Sequence, residues 1–171
     1  TFHYEQPIEY RFSHDSVFLA RFVFERLRMK NLKPLYGLDL CSGCGVVGLD
    51  FLFHCENEKV QAPSQFDFLE WQEVYKTFFI SNCHKLSFIN TDIQFVHQSF
   101  TCLSQPGFFQ KYDLILSNPP YFEPGLGRLS PSHFKNYCRF FIEGTFDDLV
   151  KGIEASLSPK GEAFLLIRPL E

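Results

Sequence analysis

At 171 residues, 45% apolar and 21% charged, the chain is long enough for one domain with a sizeable core and too short for two ordinary ones. The composition excludes a disordered chain, no apolar run approaches bilayer length, and no signal-peptide pattern opens the sequence. A net charge of −4 argues against extensive contact with a long nucleic acid, which requires a basic face.

Phenylalanine occurs 22 times, so a core built largely of rings is expected. Thr1 opens the chain and Met29 is its sole methionine, which implies trimming or processing at the start. A helix is expected from about Ser13 to Lys30, with Ser13 as its cap and Val17, Ala20, Phe24 and Leu27 at helical spacing. Arg26, Arg28, Lys30 and Lys33 read as the solvated face of that helix. Leu35–Leu40 reads as a strand, followed by a glycine-rich turn and a helix over Val46–His54. Phe66–Leu69 is expected as the second strand, Gln72–Cys83 as a helix, and Ile93–Val96 as the third strand, with Asp92 in the turn before it. Tyr112–Ser117 reads as the fourth strand, Phe146–Leu157 as a helix, and Glu162–Ile167 as the fifth strand after a Ser158–Gly161 turn.

Short strands alternating with helices predict an α/β fold, a doubly wound, Rossmann-like parallel sheet with helices on both faces. Such sheets bind ligands beyond the carboxyl ends of their strands, where the strand order reverses. Cys41, Cys44, Cys55, Cys83, Cys102 and Cys138 are spread through apolar stretches. Buried thiols in a reducing compartment explain that spread better than a disulfide framework, and a cytoplasmic location is expected.

The first strand ends in Asp39-Leu40-Cys41-Ser42-Gly43-Cys44-Gly45-Val46-Val47-Gly48, which contains three rival motifs. Gly43-x-Gly45-x-x-Gly48, with Glu70 ending the next strand, fits a dinucleotide site. Cys41 and Cys44 have thioredoxin-like spacing. Asp39 with Gly43 and Gly45 fits the first motif of S-adenosylmethionine (SAM)-dependent methyltransferases. A pyrophosphate would meet the Asp39 anion, whereas the ammonium and sulfonium of SAM are favoured by it. At about 4 Å that attraction reaches several kcal/mol near a protein surface. A zinc site would need further ligands at matching spacing, and no second Cys-x-x-Cys pair occurs, so no metal is expected. The turn therefore favours SAM.

The fourth strand runs into Asn118-Pro119-Pro120-Tyr121-Phe122. An amine conjugated to a ring is a poor nucleophile. The Asn118 side-chain oxygen and the Pro119 carbonyl can accept its N–H groups and aim its lone pair at a methyl donor. Tyr121 offers a stacking face, worth about 1–3 kcal/mol for a base, and Phe122 a second apolar wall.

The glycine turn and this tetrapeptide together resemble the amino-methyltransferases of the Asn/Asp-Pro-Pro-Tyr class. The longer resemblance is to bacterial tRNA (valine) adenine-N6 methyltransferases. It also takes in Tyr10-Arg11-Phe12-Ser13-His14-Asp15-Ser16, the Gly125–Pro131 loop, Arg139 and the Leu157–Gly161 turn. The resemblance implies SAM as cofactor, with residues 1–34 an entry segment over its site and 35–171 the methyltransferase domain. It implies that Arg11, Phe12 and Ser13 border the cofactor, that Asp39, Gly43 and Gly45 hold its methionine end, and that Glu70 holds its ribose. Trp71, Gln98 and Ser99 fall near its adenine, and Asn118 near its methyl group. Asn118, Pro119 and Tyr121 carry the catalytic roles, and Pro120, Tyr121, Phe122 and Arg139 meet the substrate.

The pattern departs from that family where Cys41 replaces its first glycine and Ser99 an acid, and where Phe140 and Phe141 follow Arg139 in place of His-Glu. The expected reaction is methyl transfer to an exocyclic amine, adenine N6 in tRNA. The rivals are a protein (release-factor) glutamine amide, which the acidic charge suits, and a degenerate SAM or nucleotide binder without activity. Because the chain stops just past the fifth strand, an antiparallel hairpin usual in this class is expected to be missing. The fifth strand is then an edge, prone to self-association.

Overall fold

The computed structural model describes residues 3–86, 90–125 and 128–168. Its helices are α1 (His14–Lys30), α2 (Val46–Asn57), α3 (Val74–Lys85), α4 (His133–Arg139) and α5 (Phe146–Ser156). Its strands are β1 (Tyr36–Leu40), β2 (Gln65–Glu70), β3 (Asp92–His97), β4 (Tyr112–Ser117) and β5 (Leu157–Leu165). All five strands are parallel, in the order β3-β2-β1-β4-β5. The order reverses between β1 and β4, so the carboxyl ends of those two strands face each other across a crevice.

Two apolar clusters cover the sheet. On one face, α1, α2 and α3 pack on Phe66, Phe68, Leu114 and Leu116. On the other, α5 and a short 3-10 segment, Phe100–Ser104, pack on Leu38, Leu40, Tyr112 and Ile115. The first cluster is the ring-built core that the composition anticipates. Phe66, Phe68, Phe79 and Phe95 follow one another with centroids 5.2, 4.8 and 5.0 Å apart. Tilted rings at these separations add to the stabilisation from burial.

Helix α1 begins after Ser13, but the Ser13 hydroxyl donates to Asp15 and does not cap the helix. The basic stretch at its end is solvated and ion-paired: Arg28 meets Glu25 at 2.6 Å, and Lys30 meets Glu162 at 2.6 Å. Most boundaries shift by one to three residues from the sequence expectations, and three differences are larger in consequence. Asp92 opens β3, paired with Gln65, and is not a turn residue. Helix α5 passes directly into β5, so Ser158–Gly161 lies within the strand. A register shift opposite Tyr112 and Leu114 accommodates Pro159 there, as edge strands allow. Helix α4 had no counterpart in the periodicity, because its seven residues are too short to display one.

Strand β5 pairs with β4 on one side, and no strand lies on its other side among the described residues. Phe22 of α1 meets Phe164 edge-on at 6.1 Å above it.

Gly48 explains why α2 can approach the sheet so closely. A Cβ there would stand 2.5 Å from the Phe68 ring and 3.0 Å from the Asp39 Cβ. Overpacking of this kind costs about 1–3 kcal/mol. Gly48→Ala should therefore lower the melting temperature by roughly 3–10 °C. An unchanged thermal unfolding curve would show that the helix can back away freely.

Candidate active site at the switch point

A cavity of about 290 Å³ lies at the carboxyl ends of β1, β2 and β4. Its walls come from the N-terminal segment, the glycine turn, Glu70–Gln72, the Asn118–Tyr121 corner and the stretch around Phe140–Glu143.

The turn after β1 needs left-handed backbone at Cys41 (φ 58°), Gly43 (φ 54°) and Gly45 (φ 82°). Glycine takes this conformation at little cost, whereas Cys41 takes it with a penalty of roughly 1–2 kcal/mol. Two acids hold the turn down. One Glu70 oxygen accepts the Gly43 N–H at 2.9 Å and the other accepts the Gln72 N–H at 2.8 Å. Asp39 Oδ2 accepts the Gly48 N–H at 2.8 Å, at the start of α2.

Both carboxyls are buried. Burial pushes Asp39 up to about 7, with the neighbouring Glu70 charge adding to the rise and the Gly48 hydrogen bond opposing it. Burial also raises Glu70, against its bonds from Gln72, Gly43 and Trp71. Among the described residues, Asp39 Oδ1 and the Ser42 hydroxyl are buried with no hydrogen-bond partner. Such groups are rare in native proteins and call for a partner from outside the chain.

The thiols behave differently. Burial pushes Cys44 up to about 12 and Cys41 well above its ordinary value. Redox Cys-x-x-Cys pairs need a depressed thiol, so the geometry does not favour the thioredoxin-like reading.

Across the cavity, Asn118 is held at both ends of its amide. Its Nδ2 donates to Ser16 Oγ at 2.9 Å, and its Oδ1 accepts the Tyr121 hydroxyl at 2.5 Å. The corner is fixed from behind, because the Tyr121 and Phe122 N–H groups both donate to the Arg139 carbonyl, at 3.1 and 3.0 Å. Phe122 and Phe140 form an isolated parallel bridge that completes this brace.

Arg11, Phe12, Ser13, Gly43, Glu70, Trp71, Gln98, Asn118, Pro119, Pro120 and Tyr121 line the cavity together. Other residues singled out from the sequence lie outside its wall. Asp39 sits beneath the turn, and Gly45 begins α2 against Phe79. The Ser99 hydroxyl caps the 3-10 segment. Phe122 and Arg139 stack on each other at 5.5 Å. Trp71 packs edge-on against Tyr137 of α4 at 4.7 Å.

Sequence reasoning missed Tyr75, Cys138 and Asn82. Tyr75 is buried on the cavity wall, with its hydroxyl 3.2 Å from Cys138 Sγ. Asn82 is fully buried and carries three hydrogen bonds. It accepts the Glu5 N–H at 2.7 Å and donates to the carbonyls of Glu5 and Cys44, each at 3.0 Å. One side chain thus ties the N-terminal segment to the glycine turn. A signal existed: Asn82 continues the helical face of Tyr75 and Phe79, where a polar residue is out of place.

No protein-family model matches the chain. Two curated tRNA1(Val) (adenine(37)-N6)-methyltransferases, from Bacteroides fragilis strains NCTC 9343 and YCH46, are each 35% identical over 79 residues. That match covers 46% of this chain and 32% of theirs, so it spans about a third of the length of these relatives. Among solved structures, a SAM-dependent methyltransferase from Agrobacterium tumefaciens superposes with TM-score 0.60 at 16% identity, over 89% of this chain and 45% of that one. TrmN from Thermus thermophilus gives 0.57 at 21%, over 88% and 38%. Ribosomal protein L11 methylase from Lactobacillus delbrueckii subsp. bulgaricus gives 0.57 at 18%, over 92% and 62%. The fold is therefore the Rossmann-like fold of SAM-dependent methyltransferases.

Removing the Asn82 amide would leave the buried Cys44 carbonyl without this partner, at a cost of about 1–3 kcal/mol, and would release the part-buried Glu5 N–H and carbonyl at a smaller cost. Asn82→Ala should lower the melting temperature by at least about 5 °C. It should also expose residues 3–12 to protease ahead of global unfolding. Wild-type protease resistance would show that the segment is held by other contacts.

Proposed function

We propose that this chain transfers a methyl group from SAM to the exocyclic amine of an adenine in RNA, with tRNA as the substrate. One observation carries the reading: Asn118–Tyr121 borders the same cavity as the glycine turn and Glu70, from the opposite side. The tRNA adenine methyltransferases above support the acceptor.

The residues present suit SAM. Two buried acids and an unpartnered serine hydroxyl beneath the turn favour a ligand with cationic and hydroxyl groups. SAM supplies an activated methyl on a sulfonium, so the chain itself needs no covalent step. Glu70 keeps its carboxylate fixed by two N–H groups and can accept ribose hydroxyls with its remaining lone pairs. Arg11, Phe12 and Ser13 close the cavity from the N-terminal side. Asn118 Oδ1 and the Pro119 carbonyl accept the amine hydrogens, and the Tyr121 hydroxyl gives up its bond to Asn118 as the acceptor arrives. Most of the rate gain then comes from alignment of the two reactants.

Tritiated SAM offered with bulk tRNA and, separately, with peptide release factor tests the acceptor class. Label in tRNA alone is expected; label in the release factor alone would move the assignment to a protein amide. Asn118→Ala should reduce transfer by at least about a hundredfold. It should leave SAM affinity within about threefold, since the asparagine meets the acceptor more than the cofactor. Near wild-type turnover would refute the assigned role.

The raised Asp39 pKa makes binding pH-dependent. A cation held over the turn favours the ionised form of Asp39 beneath it, so SAM binding should release a proton below about pH 7. Affinity should then rise by up to about tenfold per pH unit toward 7 and level off above it. The ligand-free chain should show the opposite trend. Its stability is greatest on the acid side and falls as pH rises from 3.8 toward about 7, because the folded state holds the proton longer. Calorimetric titration in buffers of different ionisation enthalpy measures the released proton, and a pH-independent affinity would sink the Asp39 assignment.

A further inference from the structure

Phe122, next after the Asn118–Tyr121 corner, carries two guanidinium groups. Arg139 Cζ and Arg168 Cζ each lie 5.5 Å from the centre of its ring. They arrive from different parts of the fold. Arg139 ends α4, and its carbonyl is the acceptor that pins Tyr121 and Phe122. Arg168 follows β5, which continues beside β4 through the Leu166 N–H bond to the Ser117 carbonyl at 2.9 Å. Both are therefore held at the carboxyl end of the sheet, next to the corner. Tyr121 and Phe140, the neighbours of Phe122 and Arg139 in sequence, line the cavity.

Two like charges on one ring need an explanation. The ring quadrupole attracts each guanidinium singly. These ring contacts position the guanidiniums without neutralising them, and Arg139 lies 5.5 Å from the Phe140 ring as well. Among the described residues, neither arginine forms an ion pair. The adjacent carboxylate, Glu123, is engaged elsewhere, accepting the Phe146 N–H at 2.8 Å at the start of α5. An anion beside them would supply the missing counter-charge, and their planar forks suit phosphate oxygens.

We propose that Arg139 and Arg168, presented on Phe122 at the rim of the cavity, bind a backbone phosphate of the RNA strand whose acceptor base enters it. The proposal rests on the RNA-acceptor reading and adds the group that anchors the strand. RNA bases read singly are splayed from their stack, so a phosphate close to the acceptor must be held while the base turns inward. A pair confined to one rim supplies that hold without a broad basic face, consistent with a net charge of −4.

The test compares wild type with Arg139→Gln, Arg168→Gln, the double variant and Arg168→Lys. Bulk tRNA binding is measured by filter retention across a salt series, and SAM affinity by calorimetric titration. Each glutamine substitution should weaken tRNA binding roughly tenfold and reduce the slope of log affinity against log salt by ~0.7, the value for one single-strand phosphate contact. Arg168→Lys should restore the slope, and SAM affinity should stay at wild type throughout. Wild-type tRNA affinity and slope in the double variant, with tRNA methylation by the unaltered chain intact, would overturn the pair alone. Failure of the unaltered chain to bind tRNA would overturn the RNA reading and the pair together. Loss of SAM affinity in both Arg168 variants would also overturn the proposal, because the arginine would then be supporting the fold.

Discussion

Two carboxylates buried under one turn are the constraint around which this molecule is arranged. Asp39 and Glu70 end neighbouring strands, and each accepts backbone N–H groups of the segment that follows β1 or β2. Those bonds, together with the Ser42 N–H donated to the Leu69 carbonyl at 3.1 Å, anchor the turn on the sheet and hold its left-handed residues. Ionised together they would repel in a low-dielectric setting, and burial accordingly raises both. The turn is thus held by groups that are themselves uncomfortable in the absence of positive charge.

The other wall of the cavity is rigid for a different reason. Its corner holds consecutive prolines, and its next two N–H groups converge on one carbonyl at the end of α4. Helix α4 matters less for its own burial than for placing that carbonyl. The Asn118 amide spans the interface between this wall and α1 through Ser16, and Asn82 spans that between the glycine turn and the N-terminal segment. Three parts of the chain far apart in sequence are therefore cross-linked around one space by two asparagines. A buried amide suits the task because it can donate and accept at once without bringing a charge.

Both ends of the strand pattern are legible in the sequence, because apolar runs and glycine spacing are local. The Asn118-Pro119-Pro120-Tyr121 run was legible for the same reason, as four residues with special backbone or polar roles stand together. Element boundaries were less so at β5, where the edge position lets the strand absorb Pro159 and Gly161. Ser99 and Gln98 are adjacent in sequence, yet only Gln98 reaches the cavity, because the chain turns at that point into its 3-10 segment.

The sequence by itself determined the class of fold and the strand ends that carry the turn and the corner. Those features depend on periodicity and on residues within about ten positions of one another. Only the tertiary structure decided that Asp39 lies beneath the turn and that Asn82 joins it to Glu5. It alone brought Arg168 to the same ring as Arg139. The Asn82 and Arg168 pairings cross tens of residues and depend on how β4 and β5 align and how α3 and α4 settle on the sheet. No local pattern encodes such an alignment, since it is set by the packing of both faces at once.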